Sequence, residues 1–198
     1  MPISNLALAF GSSLTAGLNL YLTVLTLGLL GHFEFLELPS NMAILSNPWV
    51  LSCTVLLFLV EFVTDKIPFL DNTWDTIHSF IRIPAGALLS ASAVGDIPGQ
   101  LLWIAALAGG FASLSSHGAK ASTRLAINTT PEPFTNWFVS LVEDGLTLVV
   151  LGLVTTHPYV ALALMTSLQI GFLFLIYLFY RFFKMLFQWQ KPLVQDPD

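Results

Sequence analysis

Two stretches of this sequence place acids inside apolar runs. Leu59-Val60-Glu61 and Leu141-Val142-Glu143 repeat one phrase, and a second acid follows each, Asp65 in the first copy and Asp144 in the second. A carboxylate at the centre of a hydrocarbon layer is disfavoured by about 3 kcal/mol or more, so such residues point to function by default. On a helix Glu61 and Asp65 are four apart and share a face. Their repulsion holds a proton on one of them or draws in a cation. Glu61, Asp65, Glu143 and Asp144 are therefore the expected substrate- or ion-binding set. Should the ion be a metal, Glu61, Asp65 and Glu143 are the candidate ligands. No residue is expected to be catalytic, and no organic cofactor is indicated.

A supporting polar network surrounds this set. Asp71, Asp75 and His78 recur at four and three residues, one helical face suited to a hard cation or a proton. They lie between Lys66 and Arg82, just beyond a helix break expected at Pro68. His117, Lys120 and Arg124 line a second face, with Asn128 after them and Pro131 and Pro133 stiffening the approach to the next span. That basic face could pair with Glu61 and Glu143, receive an anionic headgroup, or act as a helix end whose charges reach the lipid interface. Lys66 and Arg82 could equally neutralise the acids within a connection. Glu143 and Asp144 are adjacent and point in different directions. One is expected to face the site and the other a basic partner. Asn19, Tyr21 and Thr23 suit interhelical hydrogen bonds as well as substrate contacts. Cys53, the single cysteine, reads as a small buried hydrophobe. The sequence holds no Gly-rich phosphate loop, HExxH or CxxC, and no triad signal.

The elements that must position these groups are membrane helices. The 198 residues are 55% hydrophobic and only 10% charged, with mean hydropathy +0.77. Soluble chains carry about a quarter charged residues. Seven Lys and Arg residues without a basic stripe exclude a nucleic-acid partner. No basic residue precedes Lys66, so a cleavable signal peptide is not expected. Six stretches are long enough to span, near 6–31, 48–66, 78–95, 98–120, 134–156 and 158–186. The third and fourth are rich in Ala, Gly and Ser and are expected inside the bundle. The sixth is rich in Phe and Tyr and is expected to face lipid.

The expected fold is therefore an all-α integral membrane protein of six spans. All seven basic residues fall on the side of the even-numbered connections and the tail, which puts both termini in the cytoplasm of a bacterial inner membrane. The matched acids suggest a three-plus-three inverted repeat, residues 1–96 and 97–187, with a loose tail over 188–198. Trp49, Trp137 and Trp189 fall near span ends, where indoles anchor at the interface.

Glu61-Phe-Val-Thr-Asp65-Lys66-Ile-Pro68, Trp74-Asp75, His78, Arg82, His117-Gly118-Ala119-Lys120 and Pro131-Glu132-Pro133 together resemble an uncharacterised bacterial membrane family, domain of unknown function 4126. The resemblance covers Leu6 to Phe179 and implies an integral inner-membrane protein without an assigned activity. More remotely, the Glu-x-x-x-Asp-Lys element is similar to small cation/proton exchangers with duplicated acidic motifs. Those carry a tighter Glu-x-Gly-Asp-Lys in both halves, whereas here the glycine is missing and the second copy is Glu143-Asp144 alone.

The expected function is secondary transport coupled to protons or a small cation, through paired acids near the bilayer midplane. The alternative is a lipid-headgroup transporter for an anionic phospholipid or polyprenyl phosphate, using Lys66, Arg82, Lys120 and Arg124. Further readings are a metal-dependent hydrolase built on Asp71, Asp75 and His78, and a structural membrane subunit. Expected partners are the bilayer, a small ion or lipid substrate, and a second copy in a homodimer.

Overall fold

The computed structural model describes residues 2–67, 70–95, 97–128 and 133–189. Pro68, Pro131, Glu132, the turn at Asp96 and the tail from 190 lie outside the described residues. Every described element is a helix: α1 Ile3–Leu18, α2 Leu20–His32, a 3₁₀ helix Ser40–Ser46, α3 Pro48–Thr64, α4 Leu70–Ala93, α5 Gly99–Ile127, α6 Pro133–Thr156 and α7 Pro158–Trp189.

Three of these are long and apolar enough to cross a membrane, Gly99–Ile127, Phe134–Thr156 and Pro158–Met185. A fourth span forms if Ser40–Ser46 and Pro48–Thr64, bent by 65°, are taken as one. The third expected span corresponds to α4. It is long enough, but Asp71, Asp75, His78 and Arg82 make its first half polar, and all four are buried. α3 starts cleanly because Asn47 accepts from the Trp49 N–H at 2.9 Å with Pro48 in the first turn.

The first expected span, 6–31, is not one helix. α1 stops at Leu18 and Asn19 adopts an extended backbone, φ −145° and ψ 101°. The Asn19 side chain takes the Leu22 N–H at 2.9 Å, the donor that a continuous helix would have given to the Leu18 carbonyl. That carbonyl is free for another partner. Just before the break, Gly17 presses on α5, where a Cβ would collide with Ser116 Oγ and the Ser113 carbonyl.

The path of the chain follows from what each end touches. Leu6 lines a cavity with Val94, Pro98, Leu101 and Leu162, so α1 begins where α4 hands over to α5 and α7 starts. Leu18 reaches Lys120, far down α5. α2 then packs Gly28 and Gly31 against Leu45, Leu51 and Ser46, at the beginning of α3, whose other end carries Glu61 and Asp65 toward Lys120. α1 and α2 therefore enter and leave from the same end of the bundle, with Asn19 at the tip. Protein buries the first arm of this hairpin: α1 is enclosed from Ala7 to Leu18 apart from Phe10. α7 runs down to the opposite end, its Gln169 meeting Ser115 and its Ile176 meeting Gly118. The start of α1 and the end of α7 thus lie at opposite ends, whereas the sequence led us to expect both termini on one side. A single acceptor in mid-run is the cause, since no Pro marks the turn.

α4 and α5 make the closest helix pair, because Gly86 and Gly109 face each other across Ser90 and Ser113. A Cβ on Gly109 would come within 2.7 Å of the Gly86 carbonyl. Neither helix is enclosed on all sides as expected. Their small residues bury one face only, and Phe80, Leu88, Trp103 and Leu107 are exposed on the other. α7 does face outward, with 6% of its most apolar window buried. Cys53 is exposed rather than buried, because α3 buries little more than Thr54, Glu61 and Thr64.

Candidate functional site: a buried charge column

Three helices each carry a polar stripe of equal length. Asp71, Asp75, His78 and Arg82 on α4, His117, Lys120, Arg124 and Asn128 on α5, and Asn136, Ser140, Glu143 and Thr147 on α6 recur at three and four residues and all are buried. Each stripe extends about 17 Å along its helix. α4 and α6 begin, and α5 ends, at the same end of the bundle. The three stripes therefore meet and form one column that runs inward from that end. α3 adds Glu61 and Asp65, and the hairpin tip closes the column from within.

Lys120 is the hub. Its Nζ lies 2.7 Å from Asp65 Oδ2, 3.6 Å from Glu143 Oε2, 3.7 Å from Asp75 Oδ1 and 4.0 Å from Glu61 Oε1. The same ammonium donates to the free Leu18 carbonyl at 3.0 Å, so the carbonyl end of α1 adds to its stabilisation. Glu61 and Glu143 thus face one shared cation. Arg82 joins Glu61 to Asp75, in tight contact with the first and at 2.7 Å from the second. Arg124 donates to Glu143 at 2.7 Å and to the Asp65 carbonyl at 2.9 Å. Asp71 accepts from Asn128 at 3.0 Å, and Asn128 accepts in turn from Asn136 at 2.8 Å.

Asp144 points away from its neighbour, as expected, but its partner is an amide. Asn19 Nδ2 donates to Asp144 Oδ1 at 2.9 Å, which ties the hairpin tip to α6. Lys66 is half-buried and donates to the Phe62 carbonyl at 2.9 Å. The two histidines are both hydrogen-bonded on both ring nitrogens. His78 Nδ1 donates to the Trp74 carbonyl at 2.8 Å, and its Nε2 lies 3.0 Å from the Tyr21 hydroxyl. His117 Nδ1 accepts from Arg82 at 3.1 Å, and its Nε2 donates to Ser79 Oγ at 2.6 Å. A guanidinium can only donate, so one donor and one acceptor on the His117 ring is the pattern of a neutral imidazole.

The column holds more acid than base. Glu61, Asp65, Asp71, Asp75, Glu143 and Asp144 are buried, and among the described residues only Arg82, Lys120 and Arg124 are enclosed cations. Glu61 Oε2, Asp65 Oδ1, Asp75 Oδ2 and Asp144 Oδ2 have no hydrogen-bond partner among the described residues. Buried charge without compensation costs several kcal/mol per ion, so the excess calls for protons or an added cation. The acids do not converge as a metal cage. Among the described residues no group of three or more His, Cys, Asp or Glu side chains is disposed to hold a metal ion, because Lys and Arg groups stand between the carboxylates. Two crevices reach the column. One of about 90 Å³ touches Asp75 and Ser79, and one of about 210 Å³ touches Lys120 and Glu143.

Every site residue expected from the sequence lies in or beside this column. Arg82, Lys120 and Arg124, which could have been cations of a solvated connection, are its interior. Missed were Asn136, Ser140 and Thr147, although their spacing with Glu143 repeats that of Asp71, Asp75, His78 and Arg82. Ser79 was also missed and carried no signal. The acid–base pairs run in reversed order, Glu61 before Arg82 but Arg124 before Glu143, so the pairing itself does not repeat between the halves.

No curated protein and no solved structure matches the chain. Residues 6–181 match one family over most of the chain, and the protein belongs to that family, described as Domain of unknown function (DUF4126).

Proposed function

We propose that this protein is a secondary membrane transporter coupled to protons or a small cation, with the Lys120-centred column as its exchange site. One observation carries the reading: a single buried ammonium shared by carboxylates from α3, α4 and α6 at the tip of a re-entrant hairpin. Broken helices whose ends meet charged groups at depth are the usual way for a membrane transporter to build a site. An incoming proton or cation would compete with Lys120 for the acids. The Leu18 carbonyl and the Asn19–Asp144 bond would pass that change to the hairpin.

In the bilayer we place α3 to α7 as crossing helices, with the α1–α2 hairpin entering from the face opposite the column's mouth. Lys66, Arg181 and Lys184, the basic residues not enclosed among the described ones, sit toward the mouth, so we assign that end to the cytoplasm of an inner membrane. The duplicated acids argue for an ancestral repeat, but the hairpin sets the first half apart from the second. A homodimer would cover part of the exposed α7 face.

The headgroup alternative asks Lys66, Arg82, Lys120 and Arg124 to receive a phosphate. The last three already have a carboxylate within 4.0 Å, which favours the exchange reading. The hydrolase reading is weaker still, since Asp71, Asp75 and His78 turn to Asn128, Arg82 and Tyr21 respectively. The test is flux into proteoliposomes under an imposed pH gradient, with alkali and divalent cations offered in turn. A Glu61→Gln, Glu143→Gln double variant is expected to lose at least nine-tenths of the flux. Undiminished flux would remove the column from the mechanism.

A further inference from the structure

The other end of the bundle holds a cavity of about 760 Å³ between α1, α4, α5 and α7. Its size is within the range of small-molecule sites. Among the described residues no Asp, Glu, Lys, Arg or His lines it, and most of its wall is Ala, Leu, Ile, Val and Phe. Leu6, Leu101, Ile104 and Phe111 belong both to the wall and to the exposed surface, so the cavity opens sideways toward the hydrocarbon layer.

Three polar side chains break this apolar lining, and the Ser13 hydroxyl is already given to the Ala9 carbonyl at 2.7 Å, which leaves Ser90 and Gln169. Ser90 is 4% exposed and lines the cavity beside Gly109. Gln169 gives its amide nitrogen to Ser115 Oγ at 2.6 Å, and its Oε1 is buried without a partner. Leaving Gln169 Oε1 buried and unpaired costs about 1–3 kcal/mol, and native interiors pair the great majority of such groups. The two groups ask for complementary things: Ser90 can donate, and Gln169 Oε1 needs a donor. A single hydroxyl supplies both roles. A carboxylate or phosphate would arrive without a cation to meet it.

We propose that this cavity binds a long-chain or isoprenoid alcohol, its apolar body along α1 and α5 and its hydroxyl between Ser90 and Gln169. The inference is independent of the charge column, and its failure would leave the exchange reading untouched.

The experiment measures binding of tritiated farnesol to the full chain purified in detergent, with hexadecanol, palmitate and hexadecane as competitors. Two kinds of variant are compared. Ser90→Ala with Gln169→Leu removes the polar pair, and Leu101→Trp blocks the rim at a half-exposed position that folding tolerates. Saturable farnesol binding is expected, displaced by hexadecanol at least ten times better than by palmitate or hexadecane. Affinity should fall about tenfold or more in the polar double variant and vanish in Leu101→Trp, with unchanged size-exclusion profiles and thermal midpoints. Should Leu101→Trp aggregate, Ala105→Leu inside the cavity serves as a second blocker. Competition by hexadecane or palmitate equal to hexadecanol would overturn the proposal. So would the absence of saturable binding, or binding that survives both blockers.

Discussion

The two ends of this bundle are built from the same helices and solve opposite problems. At one end α4 and α5 present Asp75, Arg82, Lys120 and Arg124, long charged side chains that fill the interior and hold one another. At the other the same two helices present Ser90, Ala105, Ala108 and Gly109, which leave a void. The difference lies in side-chain length at equivalent helix faces. Small residues bring backbones together at the Gly86–Gly109 contact and leave the neighbouring space unfilled. Charged residues cannot leave such space, since an unpaired buried charge is far costlier than an empty apolar pocket. α1 joins the two regimes, with Leu6 in the cavity wall and Leu18 on Lys120.

Substitutions on either side of this divide should behave differently. The largest loss is expected for Lys120→Met, which strips the cation from four carboxylates. Breaking one side of a buried ion network costs about 3–5 kcal/mol, read by thermal or denaturant unfolding in detergent. The deficit should shrink as pH falls, because protonating an unpaired carboxylate removes the charge that Lys120 balanced. A pH-independent deficit would make Lys120 a packing residue only. Next comes Gly17→Ala at the hairpin, where a methyl meets Ser116 and the Ser113 carbonyl. Overpacking of this kind costs about 1–3 kcal/mol, and proteolysis near Asn19 should become faster. Asn19→Ala removes the α2 cap and the bond to Asp144 together, for about 1–2 kcal/mol. If Asn19→Ala is silent, the hairpin tip is not held by that side chain. The smallest effect belongs to the outer face: Tyr177→Ala on α7, 54% exposed, should stay within about 0.5 kcal/mol unless a second copy covers it.

Much of the charged end was legible in the sequence. Acids and bases at three- and four-residue spacing announce a helical face, and in an apolar chain such a face has to turn inward. Asp71, Asp75, His78 and Arg82 are the clearest case. The hairpin was not legible, because hydropathy reports where a segment is buried and not which way it runs. Gly17-Leu18-Asn19 has no Pro, and the break depends on one side chain taking the Leu22 N–H. Nor was the cavity, whose wall is assembled from residues of α1, α4, α5 and α7 far apart in the sequence. Cys53, exposed rather than buried, differs for a similar reason: within an apolar helix, hydrophobic character does not distinguish a buried face from an exposed one.

The account turns on Glu61 and Glu143 sharing one ammonium, and a double-mutant cycle on unfolding free energy tests this most directly. Contacting residues of one ionic network couple by about 0.5–3 kcal/mol. With Lys120 between them, Glu61→Gln and Glu143→Gln should be non-additive within that range, and the coupling should vanish in a Lys120→Met background. Additive costs in the native background would mean that each acid is a separate salt bridge with its own arginine, and the shared exchange site would fall.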